Sequence, residues 1–197
     1  MKAELLEFLN QYIDVSAEDF EVLISRVEQC SFDKKTIITD IGDVEDKMYY
    51  ILQGLVRKYF YRGKNEITTH LVKEGGIIGS GVSFLTGEPS RYIVETMEPV
   101  TAFSISRQRL DEFYSMDRKY ERFGRIMITH YFLLQEYRHL DNIRYTTRER
   151  FVRFMQENPD LVMRVPQKQL ASYLKIKPET FSRLKHLLVK KREHEFA

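Results

Sequence analysis

The chain has 197 residues, 43% of them hydrophobic, enough to bury the core of one large domain or two small ones. No apolar run of about 18 residues occurs, which argues against a membrane span and a membrane partner. The N-terminal segment lacks the apolar core of a signal peptide, so we expect a cytoplasmic protein. A single cysteine, Cys30, excludes an intramolecular disulfide and cysteine-based zinc or iron–sulfur sites, and we expect no metal.

Positive charge is concentrated at the C-terminal end of the chain. The whole chain has a formal net charge of +2. Residues 146–197 contain 12 Lys and Arg against 6 Asp and Glu, a net of +6, which leaves a net of −4 for residues 1–145. A surface that binds a polyanion is therefore expected in the last quarter of the chain.

The N-terminal half begins with helical patterns and continues with strand patterns. Residues 1–29 are predicted to be helical, because Ser16 and Asp19 resemble a capping pair and apolar residues then repeat at helical spacing. Residues 30–104 consist of short strand-like runs separated by glycines, which predicts a sandwich or barrel. The runs are TIIT, MYYIL, LVRKYFY, EITTHLV, RYIVET and TAFSI.

A long helix is predicted after the strands. Ser106 is the expected N-cap of a short helix, and residues 117–144, which lack proline, would form a helix about 42 Å long. Such a helix overhangs a domain of this size, so we predict that its apolar stripe pairs two copies of the chain. The alternative is that the stripe packs on its own β domain. The predicted dimer residues are Phe123, Met127, Leu134 and Tyr137.

The end of the chain has the pattern of a helix-turn-helix. Thr146 and Glu149 form a predicted capping box at the start of one helix, which Asn158-Pro159 ends. In QKQLASYLKIKPETFSRLKHLL, two short amphipathic helices meet at a tight turn, and Pro178 suits the first turn of the second helix. The predicted inner residues are Leu170, Ala171, Leu174, Ile176, Phe181, Leu184, Leu187 and Leu188.

The outward residues of the second helix are suited to DNA. Glu179 can accept a hydrogen bond from cytosine N4, Arg183 can bind guanine O6 and N7, and Thr180 can hold a phosphate. The alternative is an ordinary Glu–Arg surface pair. The predicted DNA-binding residues are Gln167, Lys177, Glu179, Thr180, Ser182, Arg183 and Lys185.

Residues 178–183 resemble the recognition helix of the catabolite activator protein and fumarate–nitrate regulator (Crp-Fnr) family. MYYILQGLVRKY is similar to the strand–glycine–strand signature of that family's β-roll, and GGIIGSGVSFLTGEPSRYIVET is similar to its phosphate-binding cassette. The resemblance implies an α+β fold with a cyclic-nucleotide-binding-like β-roll over residues 1–116, a dimerisation helix over 117–145 and a helix-turn-helix domain over 146–197. It also implies that Glu179 and Arg183 read bases and that Thr180 contacts the backbone.

Departures from the family pattern argue against cyclic AMP. Ser80 stands where the cyclic-AMP-responsive members have the glutamate that grips the ribose. Ser90 aligns with the phosphate-binding arginine, although Arg91 is one position away. Leu134 and Gln135 align near the pair that reads adenine. We expect no cofactor, and the candidate residues for an unknown effector are Gly79, Ser80, Gly81, Ser90, Arg91, Leu134 and Gln135.

Three local features bear on these sites. GGIIGSG matches neither a dinucleotide fingerprint nor a Walker A loop, so its glycines are interpreted as β-roll turns with positive φ. An anionic effector held by Arg91 and the amides of residues 79–81 stays open. Lys175 occupies the turn position usually held by glycine, where a left-handed conformation would cost about 1 kcal/mol. KKREHEFA is too short for the family's wing, which is therefore expected to be short or absent.

The predicted function is a sequence-specific, DNA-binding bacterial transcription regulator. Its expected partners are a palindromic double-stranded site, a second copy of the chain and RNA polymerase, and a small effector or partner at the β-roll would control it. The alternative is a ligand-binding or protein-interaction module with a vestigial helix-turn-helix. An enzyme is not expected, because no nucleophile–base arrangement, carboxylate pair or histidine cluster is present.

Overall fold

The computed structural model describes residues 2–12 and 14–195, and it describes their side chains except at position 4 and from 187 onward. The elements are α1 (Lys2–Asn10), α2 (Ala17–Ile24), β1 (Glu28–Phe32), β2 (Ile37–Thr39), β3 (Lys47–Gln53), β4 (Val56–Arg62), β5 (Asn65–Val72), β6 (Ile77–Ile78), α3 (Gly81–Thr86), β7 (Ile93–Thr96), β8 (Val100–Ser106), α4 (Arg107–Met116), α5 (Arg118–Arg144), α6 (Thr147–Glu157), α7 (Pro159–Arg164), α8 (Gln167–Tyr173) and α9 (Pro178–Glu195).

The chain forms two compact units. The first comprises Met1–Phe60 and His70–Phe132, and the second comprises Tyr61–Thr69 and Leu133–Ala197. The tip of the β4–β5 hairpin therefore belongs to the unit that contains α6 to α9. Sequence periodicity gives no indication of this grouping, because it reports only on neighbours along the chain.

The strands form two four-stranded sheets with the orders β1-β8-β3-β6 and β2-β7-β4-β5. Their pairs are antiparallel, and β8 lies between β1 and β3 while β7 lies between β2 and β4. Apolar side chains such as Ile51, Val56 and Val94 are fully buried in the core of the roll. The predicted β-roll is confirmed.

The prediction of helix throughout residues 1–29 is wrong. The chain leaves α1 after Asn10, whose side-chain oxygen accepts the N–H of Val15 at 3.0 Å, and helix resumes in α2. Ser16 caps α2 as expected, since its hydroxyl accepts the N–H of Asp19 at 3.1 Å. β1 already begins at Glu28, because its edge pairs with β8.

The glycines of GGIIGSG do not share one role. Gly75 has a φ of 80° and makes the expected turn. Gly79 does not have positive φ; a Cβ there would lie 2.7 Å from the sulfur of Met48, so its position requires close approach rather than a left-handed backbone. The sequence also failed to predict α3, which ends at Gly87 with a φ of 74°.

The second unit has a core built from α6 to α9. Phe151, Leu170, Ala171 and Phe181 are buried, and the rings of Phe151 and Phe181 meet edge to face with centroids 5.1 Å apart. The proline after α6 ends that helix as predicted, but it also begins α7, which the sequence analysis missed. The predicted inner positions Leu187 and Leu188 lie outside the described side chains.

The long helix is confirmed as α5, a continuous helix of 27 residues. Its first turns pack in the first unit, where Tyr120 stacks on Phe113 with ring centroids 4.2 Å apart and Phe123 meets Phe113 edge to face. His130 is half-buried, and its Nε2 lies 3.1 Å from the hydroxyl of Tyr12.

Apolar side chains on the later turns of α5 are exposed. Met127 is half-buried, whereas Leu134 is 41% exposed and Tyr137 is 63% exposed. Burial of such side chains would be favourable, so this part of α5 is suited to association. The exposed apolar residues of α5 are Ile128, Tyr131, Phe132, Leu133, Leu134, Tyr137, Leu140 and Ile143.

Candidate functional site

The turn between α8 and α9 is fixed by backbone hydrogen bonds. The N–H of Ile176 donates to the carbonyl of Ala171 at 2.9 Å, and the N–H of Lys175 donates to the carbonyl of Ser172 at 3.0 Å. These two bonds form a Schellman motif, in which the residue after the C-cap is left-handed. Lys175 has a φ of 59°, so the left-handed conformation is present in a lysine, at a cost of about 1 kcal/mol.

The start of α9 presents polar side chains to solvent. Glu179, Ser182 and Arg183 are exposed, while Thr180 and Lys185 are half-buried. Within the described part of the chain, Glu179 and Arg183 form no ion pair with each other and make no side-chain hydrogen bond. The alternative of a mutual surface pair is thus not what this conformation shows, and both groups are available to a partner.

Further exposed polar residues, most of them basic, lie on α8 and just before α9. Gln167 and Lys168 lie exposed on the first turn of α8, and Lys177 is exposed immediately before α9. Lys168 and the exposed Lys175 were not among the predicted DNA-binding residues, although the local excess of positive charge could have indicated them. The α8–α9 segment therefore combines an exposed helix start with several cations, an arrangement suited to a polyanion.

The start of α6 is rigidly held. The predicted capping box is confirmed: Thr146 Oγ1 accepts the N–H of Glu149 at 3.3 Å, and Glu149 accepts the N–H of Thr146 at 2.8 Å. The hydrogen bonds from Thr146 hold the pKa of Glu149 below its usual value. Arg150 donates to the carbonyls of Asn142 and Tyr145, at 3.3 and 2.9 Å, and so ties α6 to the end of α5.

The β4–β5 hairpin is hydrogen bonded to α8. Ser172 Oγ accepts the N–H of Thr68 at 2.9 Å and donates to the carbonyl of Glu66 at 3.1 Å. Thr68 is only 3% exposed, so this contact lies largely away from water. Ser172 thereby supplies the partners that this stretch of β5 needs at a buried position.

The cassette of the β-roll is internally bonded. Ser80 and Ser90 are 2% and 3% exposed, and their Oγ atoms lie 2.8 Å apart. Ser90 Oγ also lies 2.8 Å from the carbonyl oxygen of Tyr92, and the N–H of Ser90 donates to the carbonyl of Asp43 at 2.7 Å. These two predicted effector residues therefore form part of the interior.

A carboxylate that the sequence analysis missed lies at the centre of this network. Glu45 is 4% exposed and accepts the N–H of Ser80 at 3.3 Å and the N–H of Lys47 at 3.2 Å. The hydroxyl of Thr39 donates to the same carboxylate, and Ser83 Oγ accepts the N–H of Glu45 at 2.9 Å. No sequence motif distinguishes Glu45 from the other acidic residues of GDVEDK, because its role depends on distant partners.

The remaining effector candidates differ in burial. Gly79 is buried, and its carbonyl accepts a hydrogen bond from Lys58 Nζ at 3.3 Å. Arg91, which follows the position that the resemblance aligns with the phosphate-binding arginine, is exposed to solvent. Leu134 and Gln135 lie on α5 within the second unit, where Gln135 is half-buried.

Within the described residues, no helix has the length and apolar character that a membrane span needs. No group of three or more histidine, cysteine or acidic side chains suited to a metal occurs in the same part of the chain. The predicted site residues of the helix-turn-helix and of the cassette thus stand as the candidates for function.

Comparison with known proteins supports the family resemblance. Residues 29–117 match the family model of the cyclic nucleotide-binding domain. A search of the curated proteins found no match. The expected resemblance to the Crp-Fnr family is confirmed by this match together with similar solved structures, which at these identities show a shared fold.

Three of the similar solved structures cover most of this chain. The c-di-GMP-responsive global regulator CLP of Xanthomonas campestris is 16% identical over 89% of this chain and 93% of that one, with a TM-score of 0.69. FixK2 of Bradyrhizobium japonicum is 18% identical over 84% and 85% of the two chains, with a TM-score of 0.69. The catabolite activator protein of Thermus thermophilus is 18% identical over 93% and 87%, with a TM-score of 0.57.

Proposed function

We propose that this chain, which has the β-roll and the overall fold of the Crp-Fnr regulators, is a sequence-specific DNA-binding transcription regulator that acts as a homodimer. The observation that carries the proposal is the start of α9, where Glu179 and Arg183 are exposed and unpaired in the described part of the chain. Polar groups displayed in this way on a helix-turn-helix are suited to base edges in the major groove.

Each predicted DNA-binding residue has a role in this proposal. Arg183 binds a guanine through O6 and N7, and Glu179 accepts from a cytosine N4. Thr180 and Ser182 contact the backbone at the start of α9. The nearby amide and cations bind phosphates and fix the orientation of the helix. These groups belong to Gln167, Lys177 and Lys185.

The exposed part of α5 is the proposed dimer surface. Leu134 and Tyr137 offer apolar area that a second copy would remove from water. Two copies related by a twofold axis would place two α9 helices on half-sites about 34 Å, or about 10 base pairs, apart. The selected DNA sequence is therefore expected to be an inverted repeat, and the bound dimer would act on RNA polymerase in the cytoplasm.

The second candidate function is a ligand-binding or protein-interaction module whose helix-turn-helix does not bind DNA. The observation in its favour is that α9 continues as helix to Glu195, so the described residues contain no wing after α9. In either case the β-roll would receive the control signal, from an effector or from a partner protein. Selection of binding sites from a random DNA library by the purified protein separates the two candidates.

The decisive test compares two neighbouring residues on α9. Arg183→Ala is expected to cost about 1–3 kcal/mol on the selected site and to relax the preference at one base pair in each half-site. Lys185→Ala, whose side chain would contact only phosphate, should weaken selected and scrambled duplexes about equally and reduce the salt slope by about one per protomer, or about two for the bound dimer. Salt titrations of both variants on both duplexes provide the measurement.

An Arg183→Ala protein that keeps its full preference for the selected site would contradict base reading by α9. A wild-type protein that enriches no sequence would instead favour the interaction module. Dimerisation is tested by Leu134→Lys with Tyr137→Lys, which should give monomers in sedimentation experiments, against Glu136→Lys at an exposed acidic position of the same helix. A wild type that sediments as a monomer would contradict the dimer surface.

A further inference from the structure

The tip of the β4–β5 hairpin is exposed and basic. β4 ends at Arg62 and β5 begins at Asn65, with Gly63 at a φ of 61° in the turn. Arg62 and Lys64 are exposed and make no side-chain hydrogen bond or ion pair within the described part of the chain. Among residues 61–69 the sole carboxylate is that of Glu66, which is half-buried. The tip therefore presents two available cations.

The hairpin is attached to the helix-turn-helix. It belongs to the same compact unit as α8 and α9, and Ser172 holds the backbone of β5 on both sides of Ile67 through Thr68 and Glu66. α8 is in turn joined to α9 by the hydrogen-bonded turn at Lys175. The position of the tip is thus fixed relative to the helix that is proposed to read bases.

The attachment point brings the tip close to other cations. Lys64 is two residues before Glu66, so the two Cα atoms lie within about 7 Å along an extended strand. Lys168 is exposed and precedes Ser172 by one helical turn on the same side of α8. Arg62, Lys64 and Lys168 therefore lie on the two stretches of chain that the Ser172 hydrogen bonds join.

We propose that the hairpin tip is a second DNA-contacting element, in which Arg62 and Lys64 bind backbone phosphates beside the helix-turn-helix. This inference rests on the proposed DNA binding and adds a contact to it. In helix-turn-helix complexes the first helix crosses the DNA backbone, so an element fixed to α8 is placed on the side of the phosphates. Two flexible cations without partners are suited to phosphate oxygens, and such contacts add affinity without sequence information.

The test measures DNA affinity as a function of salt for Arg62→Ala, Lys64→Ala and the double variant. Each single substitution removes one phosphate contact per protomer and so two per bound dimer. It should weaken binding to selected and scrambled duplexes by the same factor, roughly 25-fold to 100-fold at about 0.1 M salt, and lower the salt slope by about 1.8. Lys34→Ala, at an exposed lysine of the first unit, is the matched control and should change neither quantity. Circular dichroism should show unchanged folding, because all three side chains are exposed.

Ser172→Ala tests the attachment itself. If the hairpin contributes phosphate contacts, loss of the Ser172 hydrogen bonds should weaken DNA binding at all sequences. Tighter binding by Ser172→Ala, with Arg62→Ala and Lys64→Ala unchanged, would make the hairpin an inhibitory clamp and overturn the inference. A double variant that retains wild-type affinity and salt slope would also overturn it while leaving the proposed function intact. Absence of any DNA binding by the wild type would overturn the proposed function, and this inference with it.

Discussion

The cassette of the β-roll and the start of α9 both contain polar residues that the sequence singles out, yet the fold treats them in opposite ways. Ser80, Ser90 and Glu45 are buried and bonded to one another or to nearby backbone. Glu179 and Arg183 are exposed and, in the described part of the chain, have no partner. The same types of side chain thus stabilise one region and remain available for binding in the other.

The difference shows that the functional meaning of a polar sequence pattern depends on its burial. A buried polar group needs a partner, so a cluster in the interior satisfies itself and then has little left for a ligand. An exposed group is satisfied by water, which a ligand can replace at low cost. The likeness of the cassette to a phosphate-binding loop is therefore weaker evidence of function than the likeness of α9 to a recognition helix.

The largest expected effect concerns the two cores beneath these surfaces. Phe181 is 1% exposed beneath the recognition surface, so Phe181→Ala should cost about 3–5 kcal/mol of unfolding free energy in that unit and abolish DNA binding. Phe84 in α3 is the corresponding buried phenylalanine of the cassette, with 5% exposure, and Phe84→Ala should destabilise the cassette. In hydrogen exchange, each variant should lose amide protection mainly in its own region. Equal loss of protection in both regions from either variant would show that the two cores do not unfold separately.

The next effect compares two glutamates directly. Glu45→Ala leaves the N–H of Ser80 and the hydroxyl of Thr39 without their partner in a buried place, so the free energy of unfolding should fall by about 1–3 kcal/mol. Glu179→Ala removes an exposed side chain and should change stability by less than about 0.5 kcal/mol. Urea unfolding of both variants measures the contrast. A tolerated Glu45→Ala would mean that the cassette network adds little to stability.

A smaller effect is expected from two lysines with left-handed backbone, one in each compact unit. Lys35 has a φ of 66° and Lys175 a φ of 59°, and substitution by glycine removes the clash of the Cβ. Lys35→Gly and Lys175→Gly should each raise the unfolding free energy by up to about 1 kcal/mol. Alanine at the same positions keeps the Cβ and serves as the control. Stabilisation by alanine as well would show that loss of charge, rather than relief of strain, is responsible.

The smallest expected effect is the response of the cassette to cyclic AMP. The resemblance aligns Ser80 and Ser90 with the glutamate of the cyclic-AMP-responsive members and with the phosphate-binding arginine. Because the two serines are buried and bonded to each other, titration calorimetry should detect no binding at physiological concentration. Arg183→Ala should behave identically in this assay, since it alters only the exposed surface. A dissociation constant of about 10 μM or tighter, near −6.8 kcal/mol, would show that the cassette is open to the nucleotide after all.

The sequence by itself determined those features that depend on neighbours along the chain. The short strands, the capping box of Thr146 and Glu149 and the length of α5 were predicted, because each is set by hydrophobic period or side-chain capping within a few residues. The prediction of helix throughout residues 1–29 was wrong, because the local pattern showed neither the break between Asn10 and Ser16 nor the pairing of Glu28 with β8.

Only the tertiary structure decided which of the predicted residues are available. The bond between Ser80 and Glu45 joins residues 35 positions apart, and that between Thr68 and Ser172 joins residues 104 positions apart. No periodicity reports such contacts, because they form when separate elements pack and each buried donor must find an acceptor. Burial of the cassette hydroxyls and attachment of the hairpin to α8 therefore follow from packing, while the residue types that make them possible are written in the sequence.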